Sequence, residues 1–312
     1  MRRSERAALP VRAALHDAGL YFAFRDVPPE ELKDPFMQQT IARLAASETL
    51  VHVDWSDIGK APPGTAPAGA IFHVGRCGST VLSQALKHHG GVVVYAEPLP
   101  LNDLLSTPRA WRRESIIAAL RSLGAAFAAH AGKPYVLKFS SWSTLFCDLV
   151  VEAFPQMPWV FAVRDPVEVL ETIVRNPPPW FQGDSDQARL IAERVDPCHQ
   201  GMSAEEFGAR LYRAFCDAIS PLDRGRGLLV EYEMLRDSLP AVAAHFNMSL
   251  TDEQRQRMAE STRQYAKSRL SRPTAFEPDA AAKRARATVE LQAAVEAIAR
   301  EPLERLRRSF AR

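Results

Sequence analysis

The chain has 312 residues, of which 46% are hydrophobic and 24% are charged, as is ordinary for a soluble globular protein. This length can bury a large core, either as one domain with insertions or as two smaller domains. The formal net charge of +2 excludes the protein-wide basic field of many nucleic-acid-binding proteins, so any anion site must be a local cluster.

The compartment is predicted from the N-terminus and from the cysteines. The first residues, MRRSERAALPVRAAL, are basic but contain no long apolar run, so we do not expect a secretory signal. No stretch approaches the roughly 18 apolar residues of a membrane span. The four cysteines show neither CxxC nor zinc-like spacing and are predicted to be reduced thiols: Cys77, Cys147, Cys198 and Cys216. Together these features predict a cytoplasmic protein.

Residues 1–68 are predicted to form an N-terminal cap or an extension of the main sheet, with no chemistry of their own. Short strands are predicted at 20–24 and 50–53, with a helix at 35–46 between them. The rest of the chain, 69–312, is predicted to form one α/β core.

The stretch at 70–89, AIFHVGRCGSTVLSQALKHH, changes from an apolar run to a turn and then to a helical pattern. The apolar run predicts a buried strand, and apolar residues recur at helical spacing from Val81. A strand, a glycine turn and a helix together bind phosphate well, because backbone N–H groups and the positive end of the helix dipole point at one spot. The alternative is an ordinary glycine turn of an α/β domain.

The turn differs from the loop GxxxxGK[ST] of nucleoside triphosphatases. His73 falls at the first glycine position and Ser79 at the lysine position, so that only Gly78 and Thr80 match. The cation stands earlier, at Arg76. This pattern predicts an anion-binding loop that is not an ordinary ATPase or kinase loop.

Four further apolar runs, separated by helical patterns, predict four more strands, at 91–96, 135–139, 159–163 and 227–232. The helical patterns lie at 103–130, 143–153, 167–175, 203–219, 239–246 and 252–258. This alternation predicts an α/β fold with a doubly wound, mainly parallel, five-stranded sheet. A long, basic, alanine-rich helix is predicted over 280–310. The proline-rich segment 177–183 is predicted to be irregular, mobile and substrate-facing.

Three of the predicted strands end in charged residues. Glu97, Lys138 and Arg164 follow the second, third and fourth strands of the predicted sheet. Ligands of open α/β sheets bind outside the carboxyl ends of the strands, so these side chains are expected beside the phosphate loop. A solvated loop carboxylate is the alternative interpretation of Glu97.

The motifs resemble those of the sulfotransferase superfamily, which uses 3′-phosphoadenosine 5′-phosphosulfate (PAPS) as donor. The loop at 75–80, GRCGST, resembles the family's 5′-phosphosulfate loop. The run from Arg164 to Thr172 resembles its 3′-phosphate motif, an arginine with a hydroxyl residue eight positions later, although the family usually has serine there. The segment LVEYEML at 229–235 resembles its YE-x-L segment. The resemblance covers roughly residues 69 to 250 and implies a P-loop sulfotransferase fold.

The resemblance also implies roles for individual residues. The residues implied in donor binding are Gly75, Arg76, Cys77, Gly78, Ser79 and Thr80 at the phosphosulfate, and Arg164 and Thr172 at the 3′-phosphate. Glu97 is the implied general base, and Arg76 and Lys138 are the candidates for stabilising the departing phosphate. His73 is the rival base, or a packed strand histidine. A late basic residue closes over the 3′-phosphate in the family, and here the candidates are Lys267, Arg269, Arg272 and Lys283.

The predicted reaction is in-line transfer of a sulfuryl group from PAPS to an acceptor hydroxyl or amine, with 3′-phosphoadenosine 5′-phosphate (PAP) as product. No acidic pair beside the loop matches a magnesium site, so no metal is predicted. The alternatives are an ATP-dependent phosphotransferase and a non-catalytic nucleotide-binding module. The acceptor stays open between a small molecule, a sugar, a lipid and a peptide. No nucleic-acid partner is predicted, because acidic residues interrupt the basic C-terminal segment and no aromatic stacking motif accompanies it.

Overall fold

The N-terminal residues form a three-stranded antiparallel sheet of their own. A computed structural model describes residues 7–17, 19–44, 48–54, 66–107, 111–181, 183–263 and 279–311. The strands are β1 (Leu9–His16), β2 (Gly19–Arg25) and β3 (Glu48–Asp54), in that order across the sheet. Strands β2 and β3 were predicted, but β1 was not. Its segment, LPVRAALH, contains one proline and two alanines, which are depleted in strands, and its backbone pairs with β2 in the folded chain.

The five predicted strands of the core form a single sheet in which every pair is parallel. They are β4 (Gly69–His73), β5 (Val93–Ala96), β6 (Tyr135–Lys138), β7 (Trp159–Val163) and β8 (Gly227–Glu231). Their order is β5-β6-β4-β7-β8. The predicted α/β fold is therefore confirmed. The connection after β4 runs to β5 at one edge of the sheet, whereas the connection after its neighbour β7 runs to β8 at the other edge. The carboxyl ends of β4 and β7 therefore lie where open α/β sheets bind ligands.

Helices cover both faces of this sheet. The helices of the described residues are α1 (Met37–Arg43), α2 (Ser79–Lys87), α3 (Leu99–Leu105), α4 (Arg113–Ala131), α5 (Cys147–Ala153), α6 (Pro166–Arg175), α7 (Asp186–Val195), α8 (Ala204–Ile219), α9 (Leu239–His245), α10 (Asp252–Ser261), α11 (Ala280–Arg286), α12 (Val289–Ala294) and, after a π-helical turn at Val295–Ala299, α13 (Arg300–Phe310). Alternate residues of β4 point to the two faces of the sheet. Ile71 packs with α2, α9 and α10, whereas Phe72 packs in the larger core on the other side.

Three predicted helices differ in the structure. The segment 103–130 contains the end of α3 and most of α4, with 108–110 outside the described residues. The segment 143–153 begins as a 3₁₀ turn, Ser141–Phe146, before α5. The prediction of one continuous C-terminal helix was wrong, because the backbone is extended at Ala287 and Thr288 caps a new helix by accepting a hydrogen bond from Leu291 N. Helix α7 was not predicted. Among the described residues, no helix is both long and apolar enough to cross a membrane.

Helix α2 is tied to the N-terminal segment through one backbone carbonyl. Lys87 Nζ and Gln84 Nε2 both donate to Asp34 O, at 2.5 and 3.1 Å. The carboxylate of Asp34 accepts in turn from Thr40 and Arg43, at 2.9 and 3.1 Å. Burial lowers the pKa of Lys87 from its ordinary 10.5 to about 7, because charge is disfavoured away from water.

Replacing Lys87 by methionine is expected to change the pH dependence of stability. Between about pH 7 and pH 10 the unfolded chain holds a proton on Lys87 that the folded chain lacks, so this group makes the free energy of unfolding rise with pH. Urea unfolding at about pH 7 and about pH 9.5 should show a smaller rise in Lys87→Met than in the native chain. The control is Lys133→Met, which removes an exposed lysine that also donates to a carbonyl, Gly90 O at 2.7 Å. Equal slopes for all three proteins would contradict the burial argument.

Candidate functional site

The loop between β4 and α2 turns through left-handed backbone conformations. Gly75, Arg76 and Gly78 have φ values of 80°, 50° and 80°. Glycine is favoured at 78, because L side chains are strained at this φ and because a Cβ there would lie 2.7 Å from Leu235 Cδ1. Ser79 and Thr80 are buried in the first turn of α2, which begins directly after Gly78. The first backbone N–H groups of this helix have no intrahelical partners and therefore face the loop.

His73 holds the start of this loop. Its Nδ1 accepts a hydrogen bond from Gly75 N at 3.0 Å, so Nε2 carries the ring proton and donates to Phe139 O at 2.9 Å. The nearest carboxylate oxygen, Glu97 Oε1, lies 4.0 Å from Nε2. Both ring nitrogens are engaged with backbone, as expected for a packed strand histidine.

Glu97 and Lys138 form an ion pair at the carboxyl ends of β5 and β6. Lys138 Nζ donates to Glu97 Oε1, and Ser140 Oγ lies 3.5 Å from Oε2. The Lys138 side chain is only 1% exposed, whereas that of Glu97 is 28% exposed. Glu97 also has a φ of 52°, which is uncommon outside glycine, and its N–H donates to Lys138 O at 2.7 Å. The pair therefore presents a reachable carboxylate above a buried ammonium.

Arg164, at the end of β7, is a buried cation held on several sides. Its Nε donates to Glu168 at 2.7 Å and its Nη2 to Asp279 at 2.6 Å. Its guanidinium carbon lies 3.9 Å from the centre of the Tyr232 ring, a cation–π arrangement. Burial alone would lower the pKa of Arg164, but the hydrogen bonds to Asp279 and Glu168 raise it above its ordinary value. The Nη1 group reaches Arg76 O at 3.4 Å, so this arginine borders the loop.

A second cation lies beside Arg164 on the late helix α11. Lys283 Nζ is 2.9 Å from Asp279, which thus bridges Lys283 and Arg164. Burial lowers the pKa of Lys283, more than the hydrogen bond to Asp279 raises it. Of the four late basic candidates, Lys283 is the one whose position the structure describes. The other three lie outside the described residues: Lys267, Arg269 and Arg272.

One cavity of about 660 Å³ joins these groups. Its wall contains most of the residues predicted from sequence: Gly75, Arg76, Gly78, Ser79, Thr80, Glu97, Lys138, Arg164 and Thr172. Cys77 is the exception, because its side chain points into the core, where burial raises the pKa of the thiol. The Arg76 side chain lines the cavity without a hydrogen bond or ion pair to any residue that the structure describes. Thr172 Oγ1 donates to Glu168 O at 3.3 Å.

Sequence reasoning missed several residues of this wall. Tyr232 lies in the segment singled out for its resemblance, but nothing in that segment indicates that its ring stacks on Arg164. Asp279 is 115 residues from Arg164 and carries no motif. Phe36 comes from the N-terminal segment, for which no chemistry was predicted. Within the described ranges, no group of three or more histidine, cysteine, aspartate or glutamate side chains could hold a metal ion.

This chain is similar to solved structures of other proteins. No protein-family model matches the chain, and no curated protein does. The sulfotransferase domain of the olefin synthase of Synechococcus PCC 7002 has 16% identity over 77% of this chain and 96% of its own, with a TM-score of 0.44. STF9 of Mycobacterium avium has 12% identity over 66% of this chain and 69% of its own, with a TM-score of 0.44. Mouse SULT7A1, crystallised with PAP, has 11% identity over 66% of this chain and 67% of its own, with a TM-score of 0.37.

All three are sulfotransferases. At such identities and TM-scores the likeness does not assign an activity, which has to rest on the chemistry of the cavity itself.

Proposed function

We propose that the chain is a sulfotransferase that moves a sulfuryl group from PAPS to an acceptor hydroxyl or amine. The observation that carries the proposal is that Arg76 and Arg164, the two cations proposed for the two anionic ends of the donor, line the same cavity as the Glu97–Lys138 pair. A cavity with two separate anion sites suits a donor that carries a phosphate at each end, and the carboxylate in its wall suits an acceptor whose hydroxyl must lose a proton.

The loop fits the 5′ end of such a donor. The backbone N–H groups of residues 77–80 and the hydroxyls of Ser79 and Thr80 would hold its oxygens at the N-terminus of α2. The guanidinium of Arg76 is a forked donor that lines the cavity and makes no hydrogen bond to any residue that the structure describes. At the other end, Arg164 with Thr172 and Lys283 would hold the 3′-phosphate, in place of the present contact of Arg164 with Asp279.

The Glu97–Lys138 pair would link deprotonation of the acceptor hydroxyl to stabilisation of the leaving group. PAPS would supply the sulfuryl group and PAP would be the leaving group. Glu97 would take the proton of the acceptor hydroxyl, and its carboxyl would then be neutral. Lys138 would thereby lose its counterion, so its ammonium could stabilise negative charge on the departing phosphate together with Arg76.

An ATP-dependent phosphotransferase is the second candidate, and a nucleotide-binding module without activity is the third. The loop favours the sulfotransferase, because Ser79 stands where a phosphotransferase loop has its lysine. We also propose a cytoplasmic location, supported by the four free thiols, and a division of the chain into 1–68 and 69–312.

Replacing Arg76 by alanine is expected to weaken PAP binding roughly 10–100-fold, because hydrogen bonds to charged groups contribute about 1.5–3 kcal/mol. Calorimetric titration with PAP and with ADP measures this effect and tests the proposed donor class. Arg113→Ala is the matched control, since this arginine pairs with Asp148 and Glu152 outside the cavity. Unchanged affinity in Arg76→Ala, or ADP binding as tightly as PAP, would refute the assignment.

A further inference from the structure

The N-terminal segment contributes an aromatic wall to the cavity. Phe36 lies directly before α1 and lines the same cavity as the phosphate loop. The centre of its ring is 5.2 Å from Lys138 Nζ, and Lys138 is paired with Glu97. Phe36 is therefore at the end of the cavity that holds the proposed base, whereas the aromatic ring of Tyr232 is at the Arg164 end.

The position of Phe36 is fixed from two sides. Its N–H donates to Gln39 Oε1 at 3.2 Å, which anchors the residue to the first turn of α1. Two residues earlier, Asp34 O accepts from Gln84 and Lys87 of α2, the helix that begins at the phosphate loop. The same helix therefore carries the proposed donor loop at its N-terminus and holds the segment of Phe36 through its later turns. Because its backbone is held in this way, Phe36 can present its ring to a ligand with little further loss of backbone freedom.

Four polar side chains around the proposed base already have partners: His73, Glu97, Lys138 and Ser140. Both ring nitrogens of His73 bond to backbone, and Lys138 bonds to Glu97. Ser140 is shared between Glu97 and Asn102, whose amide donates to it at 3.1 Å. A sugar carrying several hydroxyls would have to compete for these partners, and a buried polar group without a partner is costly. A flat apolar ring with one hydroxyl would need only Glu97 and the face of Phe36.

We propose that Phe36 is a specificity-determining residue that positions an aryl alcohol acceptor beside Glu97, so that the N-terminal segment completes the acceptor site. The inference rests on the proposed sulfuryl transfer. The acceptor hydroxyl faces the carboxylate of Glu97, and its ring packs on Phe36.

The test uses the full chain saturated with PAP and two probes, 2-naphthol and methyl β-glucoside, with binding followed by ligand-observed NMR. The native chain should bind 2-naphthol more tightly than the glucoside. Phe36→Ala should weaken 2-naphthol binding roughly tenfold, and Phe36→Tyr, which keeps the ring, should restore it. Calorimetry should give the same PAP affinity for these variants and the native chain. Phe24→Ala, in a partly buried phenylalanine of the N-terminal sheet outside the cavity wall, should leave 2-naphthol binding unchanged.

The outcomes separate this inference from the function on which it rests. A native chain that does not bind PAP overturns the proposed function. A native chain that binds PAP but binds 2-naphthol no better than the glucoside overturns the aryl acceptor. Equal 2-naphthol affinity in Phe36→Ala and the native chain overturns the role of Phe36. Melting curves of all variants identify any loss of binding that comes from unfolding.

Discussion

Replacing Glu97 by glutamine is expected to lower the turnover number about 100–10,000-fold, the usual contribution of a general base. Glutamine has nearly the same shape but cannot take the acceptor proton. Its amide oxygen can still accept a hydrogen bond from Lys138 Nζ, as the carboxylate does now. PAP affinity, measured by calorimetry, should therefore remain close to that of the native chain. Turnover is measured as PAP release from PAPS with an acceptor identified by screening.

The matched control for this prediction is Glu152→Gln. Glu152 is an exposed carboxylate that pairs with Arg113 and has no part in the cavity wall. The Glu152→Gln variant should keep native turnover. The interpretation of Glu97 as the base would fail if Glu97→Gln kept turnover within a fewfold of the native value. A variant that lost PAP affinity as well as turnover would instead indicate that the Glu97–Lys138 pair holds the donor.

Replacing Arg164 by alanine is expected to weaken PAP binding and to lower the stability of the fold. Arg164 is 3% exposed and pairs with Glu168, whose side chain is fully buried. Breaking a buried ion pair from one side typically costs about 3–5 kcal/mol, because the remaining charge keeps its desolvation penalty. Arg284 Nη2, 2.7 Å from Glu168, offsets part of this loss. Urea unfolding measures the stability, and calorimetry measures the affinity for PAP.

A second variant separates the two effects. In Arg164→Ala/Glu168→Gln a neutral amide replaces the buried carboxylate, so much of the lost stability should return. PAP affinity should not return, because the forked donor is still missing. Recovery of PAP binding in the double variant would mean that Arg164 acts only through the fold. Native PAP affinity in Arg164→Ala alone would exclude it from the site.

The elements that sequence predicts best are those whose signal is contained within the element. The strand at 159–163 was predicted with the bounds that the structure shows, because five successive apolar residues leave little alternative in an α/β pattern. The glycine loop at 75–80 also carries its own signal, since the turn and the helix that follows require no distant partner. By contrast, β1 depends on β2 for its pairing, so its sequence predicts little.

The candidate site divides in the same way. The sequence alone determined the glycine loop at 75–80, the charged ends of the strands and the α/β alternation that brings those ends to one edge, because these follow from local patterns and from the geometry of parallel sheets. Only the tertiary structure decided that Tyr232 stacks under Arg164, that Asp279 bridges Arg164 and Lys283, and that Phe36 reaches Lys138. Each of those contacts joins residues far apart in the chain, and their side chains carry no local pattern that specifies the partner.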